Sequence, residues 1–166
     1  MLKHNVTVQS VYTVWCYDKD GKLKWIDGFQ NLVTTLGLNA LLDNTFNAVA
    51  GSVLWYVGLK GTGTPVAGDT MASHASWATI TPYSNATDPA WTKNAAASAG
   101  AMSNSSSKAS FAINAGATVF GSFLKSDNTK GGATGTLYGV GDFSVSRAVV
   151  DTDTLNVQVD LSVTAV

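Results

Sequence analysis

The chain has 166 residues, a formal net charge of −1 and 13% charged residues against 45% hydrophobic ones, where soluble domains carry nearer about 25% charge. All eleven acidic residues are Asp, and of the ten basic residues only Arg147 is not a lysine. Without clustered cations the chain cannot neutralise phosphates, which argues against nucleic-acid binding. Without Glu it lacks a strong exposed-helix former, which disfavours a large helical architecture. The length fits one domain over residues 1–166.

Met1-Leu2-Lys3-His4-Asn5-Val6-Thr7-Val8 has no apolar core or small-residue cleavage site, so no secretory signal is expected. Val6, Val8, Tyr12, Val14 and Cys16 then recur at period two, with polar residues between them. Asp18-Lys19-Asp20-Gly21 is a strong turn signal, and Lys22 to Phe29 returns with Leu23, Trp25 and Asp27 on one side. The period changes over 31–49. There Leu32, Leu36, Leu42, Phe46 and Val49 suit one face of a packed helix, with Asn31 as its N-cap. Gly37 inside that helix costs about 1 kcal/mol relative to Ala and marks close packing.

Val53 to Leu59 reads as a buried strand, with Val53, Trp55, Val57 and Leu59 facing inward. The stretch from Ala48 to Leu59 is the most apolar of the chain, yet too short for a bilayer, which takes about 20 residues. Gly61, Gly63, Pro65 and Gly68 break regular structure, and Asp69 is a candidate cap for a short helix towards Trp77. Residues 80–107 form a long, partly irregular loop carrying Tyr83 and Trp91, and loops of that length are usually functional. Strands follow over Ser110–Asn114, Ala117–Lys125, Thr134–Val140 and Phe143–Val150. Last comes a strict alternation of Leu155, Val157, Val159, Leu161 and Val163 with polar residues. At least seven strands, with turns every 8–12 residues, predict a mainly β fold, an antiparallel sandwich or a barrel.

No constellation for chemistry emerges. Asp18-Lys19-Asp20-Gly21 opens like a calcium loop but lacks the Glu that closes one. Gly58-Leu59-Lys60-Gly61-Thr62-Gly63 lacks the ending of a phosphate loop. His4 and His74 have no partner at metal-ligand spacing, and Cys16 is a lone cysteine in an apolar strand. The sequence therefore predicts no catalytic residue, no metal and no cofactor. The sequons at Asn5, Asn85 and Asn104 carry no meaning without export. Trp15, Trp25 and Trp55 lie in expected strands and read as core. Trp77, Tyr83 and Trp91 lie in weakly patterned segments, where large aromatics are candidate assembly-interface anchors.

Several blocks stand together in order. The first are Asn31-Leu32-Val33-Thr34-Thr35-Leu36-Gly37-Leu38-Asn39, Trp55-Tyr56-Val57-Gly58-Leu59 and Gly68-Asp69-Thr70-Met71-Ala72-Ser73-His74-Ala75-Ser76-Trp77. Ser107-Lys108-Ala109-Ser110-Phe111, Lys130-Gly131-Gly132-Ala133-Thr134-Gly135-Thr136-Leu137, Arg147-Ala148-Val149-Val150 and Asp153-Thr154-Leu155-Asn156-Val157 follow. From about residue 25 to the end, the sequence resembles a family of small structural proteins of tailed double-stranded DNA phages. The resemblance implies a virion component made in the bacterial host cytoplasm. Its nearest role is a non-enzymatic capsid decoration (cement) protein with a jelly-roll-like β-sandwich on the capsid surface. The implied partners are the phage major capsid protein and copies of the chain itself, as a dimer or trimer, with no nucleic acid and no membrane. A tail, head–tail adaptor or fibre component is the alternative in that class. A carbohydrate-binding host-attachment module using Trp77, Tyr83 or Trp91 is the alternative outside it.

Overall fold

The computed structural model describes residues 5–47, 54–94 and 97–165. Its elements are β1 (Val6–Tyr17), β2 (Leu23–Gln30), β3 (Leu32–Val33), α1 (Thr35–Phe46), β4 (Tyr56–Gly63), β5 (Trp77–Ile80), β6 (Ala101–Ser103), β7 (Ala109–Ala112), β8 (Ala117–Lys125), β9 (Leu137–Val149) and β10 (Thr154–Ala165). They form two antiparallel five-stranded sheets. Sheet A has the order β2-β1-β10-β6, with β7 also pairing β10, and sheet B has the order β3-β9-β8-β4-β5. Among the described residues the fold is a mainly β sandwich with one helix.

Period-two alternation sets the sandwich core. Tyr12, Val14 and Cys16 of β1 lie opposite Val159, Val157 and Leu155 of β10, and all six are buried. From sheet B, Val57, Leu59, Leu124, Tyr138 and Phe143 close over them. Phe29 and Phe143 join the layers edge to face, with ring centres 5.5 Å apart. The Asp18 turn forms the expected hairpin: its carboxylate accepts from the amides of Asp20 at 3.0 Å and Lys22 at 2.9 Å. These bonds hold the Asp18 carboxyl below its ordinary range.

The helix is shorter than the expected 31–49, and its cap is different. Thr34, not Asn31, is the N-cap and accepts from the Gly37 amide at 3.0 Å. Asn31 is diverted because Leu32 and Val33 pair with Val140 and Gly139 of β9. Its side chain instead accepts from the Ser10 hydroxyl and donates to the Tyr12 hydroxyl at 3.2 Å. Val49 and Val53 lie outside the described residues. Gly37 is the close-packing point that the sequence suggests, because an added Cβ would lie 2.1 Å from the Tyr138 carbonyl oxygen.

Three other boundaries differ. β4 runs on through Gly61 to Gly63, because β5 pairs alongside it. The two strands expected over 134–150 are one strand, β9, crossing Gly141, where the Phe29 ring occupies the place of a side chain. No helix starts at Asp69. Its Oδ2 accepts from the Val66 amide at 2.8 Å and the Trp77 indole at 2.9 Å, which turns the carboxylate back toward the preceding loop and the second core.

Candidate assembly surfaces

Trp77, Tyr83 and Trp91 are not surface anchors: they are 5%, 1% and 6% exposed. The segments around them fold back as covers. Pro89 to Trp91 run beside β4, with the Val57 amide donating to the Pro89 carbonyl at 2.9 Å and the Trp91 amide to the Trp55 carbonyl at 2.8 Å. The Trp91 indole reaches through the sandwich and donates to the Val159 carbonyl of β10 at 3.1 Å. Tyr83 pairs with Ile113 as an isolated bridge and meets Phe111 edge to face at 4.9 Å. Trp77 packs with Met71, Phe123, Leu137 and Val140 in a second core on the outer face of sheet B, and His74 stacks on its ring at 4.0 Å. Weak periodicity in this part of the chain thus reflects irregular backbone over a core, since isolated bridges leave no regular period to read.

These covers bury charge. Lys125 and Asp88 are 0% and 1% exposed at their side chains, with Nζ 2.7 Å from Oδ2. Lys125 also donates to the Thr129 carbonyl at 2.6 Å, and the Tyr83 hydroxyl donates to the other Asp88 oxygen. That contact and burial push the Tyr83 hydroxyl well above its ordinary range, burial being the larger cause. Lys130 closes the group from above, its ammonium 4.5 Å from the Tyr83 ring centre. Lys60, also fully buried, pairs with Asp142 across sheet B. Between the sheets, Arg147 donates to one oxygen of buried Asp27 through Nε at 3.0 Å and a terminal nitrogen at 2.8 Å, tying β9 to β2. Lys60, Lys125 and Arg147, each with its carboxylate partner, therefore act as struts.

The chemistry-bearing residues are likewise occupied. Cys16 lies 3.8 Å from the Asp153 carboxylate, and burial followed by that charge pushes its thiol up to about 12, away from nucleophile character. His74 Nδ1 lies 3.0 Å from the Trp77 carbonyl oxygen. Asn104 is fully buried, its amide bridging the Val157 carbonyl and the Val159 amide of β10, so its sequon is inaccessible. Among the described residues no three His, Cys, Asp or Glu side chains gather as a metal site, and no helix is long and apolar enough to cross a membrane.

The exposed feature is apolar. α1 touches sheet B through Gly37, its one buried residue. Leu36, Leu38, Leu42 and Phe46 remain 37%, 40%, 55% and 78% exposed. At the same end the β1–β10 ribbon carries exposed Val6 and Val163. A groove of about 190 Å³ separates the two, with Leu41 on the helix side and Met102, Leu161 and Val163 on the sheet side. Charge is scarce here: Asp43 is the one charged residue of α1, and β1 has none. β2 pairs with β1 only from Val11 onward, so Val6 to Gln9 form an open backbone edge among the described residues. Monomeric domains rarely expose contiguous apolar surface of this kind.

No protein-family model matches the chain, and no curated protein is significantly similar to it.

Proposed function

We propose that the chain is a non-enzymatic structural protein of a tailed-phage virion, a capsid decoration protein that seats its α1 end on the outer shell. The observations that carry this reading are the exposed, nearly uncharged surface of Leu36, Leu38, Leu42 and Phe46 and the open edge of β1 at Val6 to Gln9. Such a surface gains free energy when a protein partner covers it, at roughly 25 cal/mol per Å² of apolar area. The block-by-block resemblance set out from the sequence supports the same reading, and so does the scarcity of charge, since a protein on the outside of a shell meets protein rather than DNA. The open edge at Val6 to Gln9 suits a neighbouring strand, including one from another copy in a dimer or trimer. Many copies let modest contacts add up over the lattice. The 80–107 segment has a smaller part than its length suggests, because residues around Tyr83 and Trp91 are packed inward.

The test is co-sedimentation of the purified protein with DNA-filled heads that lack it. Saturable binding, together with a higher temperature of DNA release, is the expected result. No binding and no change in release temperature would remove the proposal. Binding at one vertex alone would favour the adaptor or tail reading instead.

A further inference from the structure

On the outer face of sheet A, away from the sandwich core and from the α1 groove, the pleat sets Trp15 and Tyr17 of β1 side by side. They are two residues apart on one strand, about 7 Å along it. On the β2 side Trp15 faces Ile26 and Tyr17 faces Leu23, both exposed, whereas on the β10 side each ring has polar neighbours. Trp15 lies opposite Asn156 of β10, which in turn faces Ser110 of β7, and Tyr17 lies opposite Thr154. Thr13 and Gln158 form the next row. Both rings are half-buried rather than covered, and Asn156 and Thr154 share that exposure. Among the described residues, neither the Trp15 indole nor the side chains of Tyr17, Asn156 and Thr154 make a hydrogen bond within the protein. In the interior the Trp77 and Trp91 indoles are bonded, whereas the Trp25 indole N–H is buried without a partner among the described residues. At the Tyr17 end the face runs into a shallow hollow of about 380 Å³ lined by Tyr17, Asp18, Thr152, Thr154 and Asn156.

We propose that this face binds an oligosaccharide, with Trp15 and Tyr17 as stacking platforms and Asn156, Thr154 and Asp18 as hydrogen-bonding partners. A pyranose has an apolar C–H face and a rim of hydroxyls. It therefore needs a flat ring with adjacent amide, hydroxyl and carboxylate groups that hold unspent donors and acceptors. Asp18 spends Oδ1 on the turn amides, which fixes its carboxylate at the rim of the hollow and leaves Oδ2 for a sugar hydroxyl. The Lys108 ammonium lies over the Trp15 ring, 4.9 Å from its centre, and also bonds the Ser105 carbonyl; a stacking sugar takes its place on the ring and receives it as a donor at the rim. Single-stranded nucleic acid also stacks on aromatics, but it requires an unspent cationic track along its backbone, and here Lys19 is paired with Asp20 and Lys108 with the Ser105 carbonyl. This site is independent of the capsid contact proposed above, and either can fail alone.

The experiment is a printed oligosaccharide array probed with the labelled protein coupled to beads for multivalency, followed by calorimetry on the strongest binder. The array is repeated with Trp15→Ala and Asn156→Ala. Retention of at least one oligosaccharide is expected, with a tenfold or greater loss in each variant and unchanged head binding. If Trp15→Ala fails to fold, Asn156→Ala on the solvent side of β10 decides. The proposal is overturned if no oligosaccharide is retained, or if the folded variants bind as the parent does. It is equally overturned if the variants lose head binding while no glycan binds, which would make this face a protein contact.

Discussion

The outer face of sheet B and the α1 end of the molecule break the usual burial rule in opposite directions. On sheet B, Lys60, Lys125 and Asp88 are buried beneath irregular covers. At the α1 end, Leu42 and Phe46 stand in solvent. Internal partners make the difference. A buried ammonium is tolerated where a carboxylate and carbonyls meet it, as Asp88 and Thr129 meet Lys125. An exposed apolar side chain contributes little to the stability of the isolated chain and gains its worth when something covers it. One region is finished within the monomer, and the other is left uncovered.

The largest effect should come from breaking the finished region. Asp88→Ala strands the Lys125 ammonium in the interior and is expected to cost about 3–5 kcal/mol in urea unfolding. A loss below about 1 kcal/mol would mean that the pair is not the strut described. Trp91→Ala removes a core ring and the bond to the Val159 carbonyl, and about 3–5 kcal/mol is expected by the same measurement. A surface role for Trp91 would leave unfolding almost unchanged.

The next test uses Cys16, at the end of the sandwich remote from α1. With its thiol pushed up to about 12, the folded protein should resist iodoacetamide at pH 8, whereas the urea-unfolded chain reacts. Equal rates in the two states would contradict the burial. At the open end, Leu42→Asp and Phe46→Asp should change stability by no more than about 0.5 kcal/mol while abolishing co-sedimentation with heads. Loss of stability would place these residues in a core.

The smallest effect is alkaline. The hydrogen bond to Asp153 raises the Lys24 ammonium above its ordinary 10.5. Its stabilisation is therefore complete below that value and fades as pH rises through the raised one. Lys24→Met should flatten the alkaline fall in melting temperature, and an unchanged profile would remove this pair from the account.

Legibility followed the range of the interactions involved. β10 was readable because its alternation puts Leu155, Val157 and Val159 on one buried face, which opens to solvent at Val163, and the Asp18 turn because its bonds close within four residues. Gly37 announced a close approach, though not its partner Tyr138. Asn31 and Asp69 looked like caps because both are good acceptors. Their actual donors, Ser10 for Asn31 and the Trp77 indole for Asp69, are brought to them by folding. The pairing of Lys125 with Asp88 leaves no local pattern at all, since a strand lysine reads as solvent-facing until its cover is known. The same cover hides Trp77 and Tyr83, so the aromatics that sequence reasoning favoured were interior. Trp15, read as core, faces outward because it alternates with the buried Val14 and Cys16.

The most direct measurement is a cryo-EM map of the intact particle. The account predicts many copies of the sandwich over the outer shell, with α1 and the Val6–Gln9 edge against neighbouring subunits. A few copies confined to one vertex or the tail, or an α1 end pointing into solvent, would contradict it.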